Sequence, residues 1–162
     1  MFLLRYFGIE TEEPQPGVAE TETVRRITQA LDRLEPEPAR YLAAFAYVLS
    51  RVARADLKIS EAETRAMERI VEEHGGLPAG QAIIAVQIAK TQNKLFGGTE
   101  DFLVTREFNK IATREQKLAL VDCLYAVASA DESVSAEEDN EIRQICSELQ
   151  LEHRDFIAVR SR

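Results

Sequence analysis

The chain has 162 residues, 45 % hydrophobic and 30 % charged, enough for one domain with a sizeable core and too little for two. Its 28 Asp and Glu outnumber 20 Lys and Arg, leaving a net charge of −8 that repels polyanions, so nucleic acid is excluded as a partner and cations or basic protein surfaces are favoured. The two cysteines, Cys123 and Cys146, have no CxxC spacing and fall on apolar helical stripes, so buried reduced thiols are expected.

The chain starts with Met1-Phe2-Leu3-Leu4-Arg5-Tyr6-Phe7-Gly8, apolar but broken by Arg5. It is too short for a signal peptide or a membrane span. The first reading folds it onto the core; the alternative makes it a foot for weak peripheral contact with a membrane or partner. No other stretch is long and apolar enough to span a bilayer, so a soluble, cytoplasmic protein is expected. Glu10, Glu12, Glu13, Pro14, Pro16, Gly17 and Glu20 follow, a composition that buries little. Residues 1–20 are therefore read as a flexible acidic arm and residues 21–162 as the domain.

Val24, Ile27, Leu31 and Leu34 recur at helical spacing and predict a helix over 22–35, ended by Pro36 and Pro38, the latter suited to open the next. Leu42, Phe45, Ala46, Leu49, Val52 and Ala53 mark one face of a long second helix that stops near Ala55. A third runs from Ser60 to about His74, with Gly75-Gly76 suited to its C-terminal cap. The stretch from Gln81 to Ala89 is apolar nearly all round, so periodicity alone does not separate a buried helix from a strand; its alanines, its length to Leu95 and the lack of a partner strand favour a helix, expected to be the central one. A shorter helix follows over 100–111. Thr113-x-x-Gln116 is a capping-box start for the next, with Leu118, Val121, Leu124 and Val127 as its stripe. Ile142, Ile145, Cys146 and Leu149 mark another, and a last turn or short helix spans Asp155 to Val159. No strand pattern survives. The predicted class is all-α, a globule of about seven or eight helices.

The chain also repeats itself. Leu49 to Glu63 aligns without a gap on Leu124 to Glu138, 75 positions later, with Leu, Val, Ala, Ala, Asp, Ser and Glu recurring. Each copy reads as an apolar helix, an Asp, a short turn and a helix opened by Ser-x-x-Glu. Two helix-loop-helix units about a pseudo-twofold are implied. The simplest account of the turns needs no ligand: Ser60 and Ser135 cap the helices, Glu63 and Glu138 reach back to them, and Asp56 and Asp131 brace the turns.

The other account is a cation site. Asp-x-x-Ile/Val-Ser-x-x-Glu matches the second half of a calcium EF-hand loop, but Val52 and Arg54 stand where the first oxygen ligands belong. Leu57 and Glu132 replace the turn glycine, so neither copy alone is an ordinary EF-hand. If the turns converge, Asp56, Glu63, Asp131 and Glu138 form a four-carboxylate cluster that recruits calcium, magnesium or manganese. Glu132, Ser133, Glu137 and Asp139 enrich the second turn; Lys58 opposes cation binding at the first.

Elsewhere chemistry has little support. No GxGxxG, P-loop, GxSxG or HExxH occurs, and neither His74 nor His153 completes a Glu-x-x-His. His74 is read as complementing a helix C-terminus, His153 as lying on a solvated turn. The terminal arginines Arg25, Arg26, Arg33, Arg40, Arg154, Arg160 and Arg162 read as solvated faces.

Ala-Arg-Ala-Asp56 with Ile59-Ser60-x-x-Glu63, and Ala-Ser-Ala-Asp131 with Val134-Ser135-x-x-Glu138, resemble the tellurite-resistance TerB family over roughly residues 25–160. The resemblance implies an all-α domain with an internal duplication, no established enzymatic activity, a link to stress, and metal binding at the acidic turns. The matching positions are Asp56, Glu63, Asp131 and Glu138; Leu57 and Glu132 depart from the family's usual Asp-Gly. The expected function is a non-enzymatic module binding a divalent cation. The alternative is a protein-docking or membrane-peripheral scaffold with purely structural turns. Protein partners, a second copy of the chain among them, are expected in either case.

Overall fold

The computed structural model describes residues 22–52, 61–92, 99–131 and 136–160, and these contain eight α-helices and no strand. They are α1 (Glu22–Asp32), α2 (Pro36–Val52), α3 (Glu61–Gly75), α4 (Ala79–Gln92), α5 (Thr99–Ile111), α6 (Arg114–Ala128), α7 (Ala136–Glu148) and α8 (His153–Arg160). A 3-10 turn, Ser129–Asp131, extends α6. The arm lies outside the described residues.

The prolines between α1 and α2 act differently from the expectation. α1 ends at Asp32, and the amide of Leu34 bonds the carbonyl of Leu31 at 3.1 Å in a tightened last turn. Pro36 is already the first residue of α2, where its missing N–H has no partner to lose, and Ala39 donates to the carbonyl of Glu35 at 3.0 Å.

The central helix is α2, not the stretch beginning at Gln81. Every residue from Leu42 to Val52 is buried, and α2 packs against α4, α5, α6 and α7. α4 keeps an outer face of Ile83, Gln87 and Lys90, with Ile83 43 % exposed. An outward isoleucine erased the polar stripe by which periodicity would have shown that face. Ala43, Ala44 and Ala46 are fully buried on α2; such small side chains permit close helix approach. Tyr41 and Phe45 of α2 meet Phe108 of α5 with ring centroids 5.5 and 6.4 Å away. The end of α3 sits against the same cluster: a Cβ on Gly75 would come within 2.7 Å of the Phe45 ring. Gly76, at φ 72°, then closes α3 as the glycine pair predicted.

The capping box of α6 forms as read: Gln116 N–H donates to Thr113 Oγ1 at 3.1 Å, and Thr113 N–H donates to Gln116 Oε1 at 2.8 Å. α8 begins two residues before the expected start. Asp155 accepts from the amide of Glu152 at 3.1 Å and pairs with Arg114, joining the start of α8 to that of α6. Phe156 and Val159 turn inward.

The repeated units correspond to α2 with α3 and α6 with α7, but their connecting residues, 53–60 and 132–135, lie outside the described set. α3 lies against α6 far more closely than α7 lies against α2, so the packing does not establish an even two-fold arrangement.

Candidate functional site: the acidic turns and the Arg51 cluster

Of the four residues proposed to meet a cation, Asp56 falls outside the described residues, as do both capping serines, Ser60 and Ser135. Glu63 lies in the first turn of α3 and Asp131 closes the 3-10 turn after α6, their side chains outside the described set. Glu138 stands half-buried in the first turn of α7, beside Glu137 and Asp139. Carboxylates there complement the positive end of the helix dipole. Among the described residues no three His, Cys, Asp or Glu side chains are grouped to hold a metal ion. Asp139 is already engaged: it accepts from the Tyr125 hydroxyl at 2.9 Å and from Arg143 Nη2 at 3.2 Å. Its carboxylate braces α6 against α7, which subtracts from the oxygen supply the second turn offered in sequence.

The most developed polar cluster is one the sequence reading passed over. Arg51, the penultimate residue of α2, is 7 % exposed. Its Nε donates to Glu141 Oε1 at 2.8 Å; Nη1 donates to Thr105 Oγ1 at 2.8 Å and to Glu148 Oε1 at 3.0 Å; Nη2 donates to Glu148 Oε2 at 3.2 Å. The planar fork thus grips Glu148 with both terminal nitrogens, the geometry that suits guanidinium to carboxylate. Burial works against the charge, but the hydrogen bonds and charges of Glu148 and Glu141 outweigh it and hold the pKa above its ordinary value. One cation faces two carboxylates here, and three helices, α2, α5 and α7, meet on it. Glu141 lies three residues after Glu138, one helical turn along α7 and on the same face. The sequence marks Arg51 only as the one charge in the stretch from Tyr41 to Ala53 and names no partner for it, although Glu141 and Glu148 keep step with the stripe of Ile142, Ile145 and Leu149.

The other candidates settle quietly. His74, in the last turn of α3 as expected, places Nδ1 2.8 Å from Asp122 Oδ2, with the two side chains 41 % and 22 % exposed. His153 is not on a turn but opens α8, its ring 5.9 Å from that of Phe156. Cys123 and Cys146 are buried and free. Burial, helped by Asp122 at the first and Asp155 at the second, pushes both thiols up to about 12, which keeps them protonated and unreactive near neutrality. A groove of about 510 Å³ is lined by Glu37, Pro38, Arg40, Tyr41, Ile111 and Gln116.

Residues 41–161 match the family described as Tellurite resistance protein TerB. The chain belongs to the TerB family. The match takes in α2 from Tyr41 onward and every later helix, with both acidic turns and the whole Arg51 cluster; α1 and the first turn of α2 precede it. No curated protein and no solved structure matches the chain. No described helix of this TerB-family domain is long and apolar enough to cross a membrane.

Proposed function

We propose that this TerB-family chain is a non-enzymatic, stress-associated module that binds a divalent cation, calcium, magnesium or manganese, through its two acidic turns. Asp56, Glu63, Asp131 and Glu138 would hold the ion, with Ser60 and Ser135 fixing the helix starts that aim the glutamates. The donor set fits: hard cations take carboxylate oxygens, and no soft ligand competes among the four. The observation that carries the reading is the contact of Arg51 with Glu141. It ties the end of α2, five residues before Asp56, to α7 one turn from Glu138. The two acidic segments therefore leave helices that touch. A bound cation would relieve repulsion among carboxylates held near one another.

A second reading, a protein-docking scaffold with purely structural turns, is favoured by Asp139, whose carboxylate is already satisfied within the fold. The two buried free thiols suit a reducing compartment, and the cytoplasm is proposed as the location.

Thermal unfolding of the chelator-stripped chain, with and without calcium, magnesium, manganese and zinc, separates the readings. An ion at about a hundred times its Kd adds about 2.7 kcal/mol, a rise of several degrees in Tm. The metal reading expects that rise with one of the hard cations and its loss in Asp131→Asn/Glu138→Gln. No rise with any ion leaves the turns as caps and the scaffold as the function.

A further inference from the structure

We propose that Arg51 is a positioning residue: its guanidinium locks the end of α2, which leads to the first acidic turn, against α7, whose first turn carries Glu138, by gripping Glu141 in the second turn of α7 and Glu148 at its C-terminal end. The geometry is over-determined. Glu148 fixes the plane of the fork, Glu141 takes its Nε edge and Thr105 of α5 takes Nη1, so neither α2 nor α7 can rotate or slide without breaking a bond at 2.8–3.2 Å. A buried ion pair is a poor device for stability alone, because apolar side chains of like volume do as well, whereas it discriminates strongly between registers. The contact of α2 with α7 is narrower than that of α3 with α6, so each bond made there weighs more in fixing its register. A lysine would keep the charge but could not satisfy two carboxylates and a hydroxyl from one plane.

The inference rests on the proposed cation site only for one of its two readouts. The first is amide hydrogen exchange along the full chain in Arg51→Lys and in Glu141→Gln, the milder change at a side chain 26 % exposed. Exchange is expected to accelerate about tenfold in residues 141–148 of α7 and in the last turn of α2, while α3 and α6 hold their protection. The second is manganese affinity by titration of the same variants, expected to fall about tenfold, the loss typical of residues that orient ligands without touching metal. Should Arg51→Lys not fold, Glu141→Gln carries both measurements. Unchanged exchange in residues 141–148, or equal acceleration along the whole chain, would overturn the positioning role; so would unchanged manganese affinity in variants of a wild type that binds it. A wild type that binds no manganese sinks the cation reading and leaves the exchange experiment to decide Arg51.

Discussion

Two of the junctions between the repeated units are opposite in character. Where α3 lies along α6 the contact is broad, and its polar link, His74 to Asp122, stands largely in solvent. Where α2 meets α7 the contact is narrow, and its polar link, Arg51 with Glu148, is buried to 6 % exposure on both sides. The difference shows where polar groups matter in a helical globule. At a broad junction the packed helix faces hold the helices and a half-exposed polar contact adds little. At a narrow one the desolvated charges cannot be left unpaired, so they dictate how the helices sit.

The sharpest way to break this contrast is to remove one carboxylate or one imidazole. Glu148→Ala deprives a buried guanidinium of its two-pronged partner and is expected to cost about 3 kcal/mol. His74→Ala is expected to cost under about 1 kcal/mol. Urea unfolding of both variants at neutral pH measures the two losses on one scale. Equal losses would mean that burial is not what separates the junctions.

The helices themselves were legible because most of them bury one stripe. Ile27 and Leu31 of α1, Leu120, Val121 and Leu124 of α6, and Ile142 and Ile145 of α7 are buried where periodicity or its neighbours put them. The capping box at Thr113 was legible because its two hydrogen bonds are local. The place of α2 at the centre was not, since a helix buried all round and one with an isoleucine facing water look alike without their neighbours. Of the candidate site, the acidic repeat was visible as a pattern, but Arg51 was not. A buried arginine is recognised by partners 90 and 97 residues away, a separation over which helical spacing carries no information. The engagement of Asp139 was hidden for a related reason: its partner Tyr125 sits on another helix.

Each helix of the second unit buries one thiol, Cys123 on α6 and Cys146 on α7, and alkaline pH tests both. Burial raises each from 9.0 to about 12, and burial likewise raises Tyr41 from 10.0 to about 12. A raised folded pKa means the neutral form is favoured in the fold. The stabilisation is fully present below the unfolded thiol value near 9 and is lost as pH climbs from there toward 12. The expected loss is about 1 kcal/mol per pH unit for each thiol in that window. Denaturant unfolding at pH 8 and pH 10.5 measures it, and Cys146→Ala should flatten the fall by about half. An unchanged fall in that variant would place the loosening at Cys123 and Tyr41.

The finest distinction lies in how the second helix of each unit stops. α3 ends on Gly76 at φ 72°, a conformation without cost for glycine, whereas α7 ends on Gln150 at φ 59°. Around Gln150 the chain closes a full Schellman turn: Gln150 N–H donates to Ser147 O and Leu151 N–H to Cys146 O, each at 3.0 Å. The turn is therefore well made despite a side chain that disfavours it. Gln150→Gly removes the left-handed strain but loosens the unfolded chain, and the two effects oppose each other. The first is the larger, at about 1 kcal/mol or more for an ordinary residue, so a net gain of about 0.5 kcal/mol is expected. Gly76→Gln, with open space around it, should lose a comparable amount, since only the backbone objects. Urea midpoints moving in opposite directions would show that α3 and α7 use the same stop signal at different strengths. A Gln150→Gly variant less stable than the parent would mean that the glutamine side chain anchors the end of α7 by a contact that outweighs its strain.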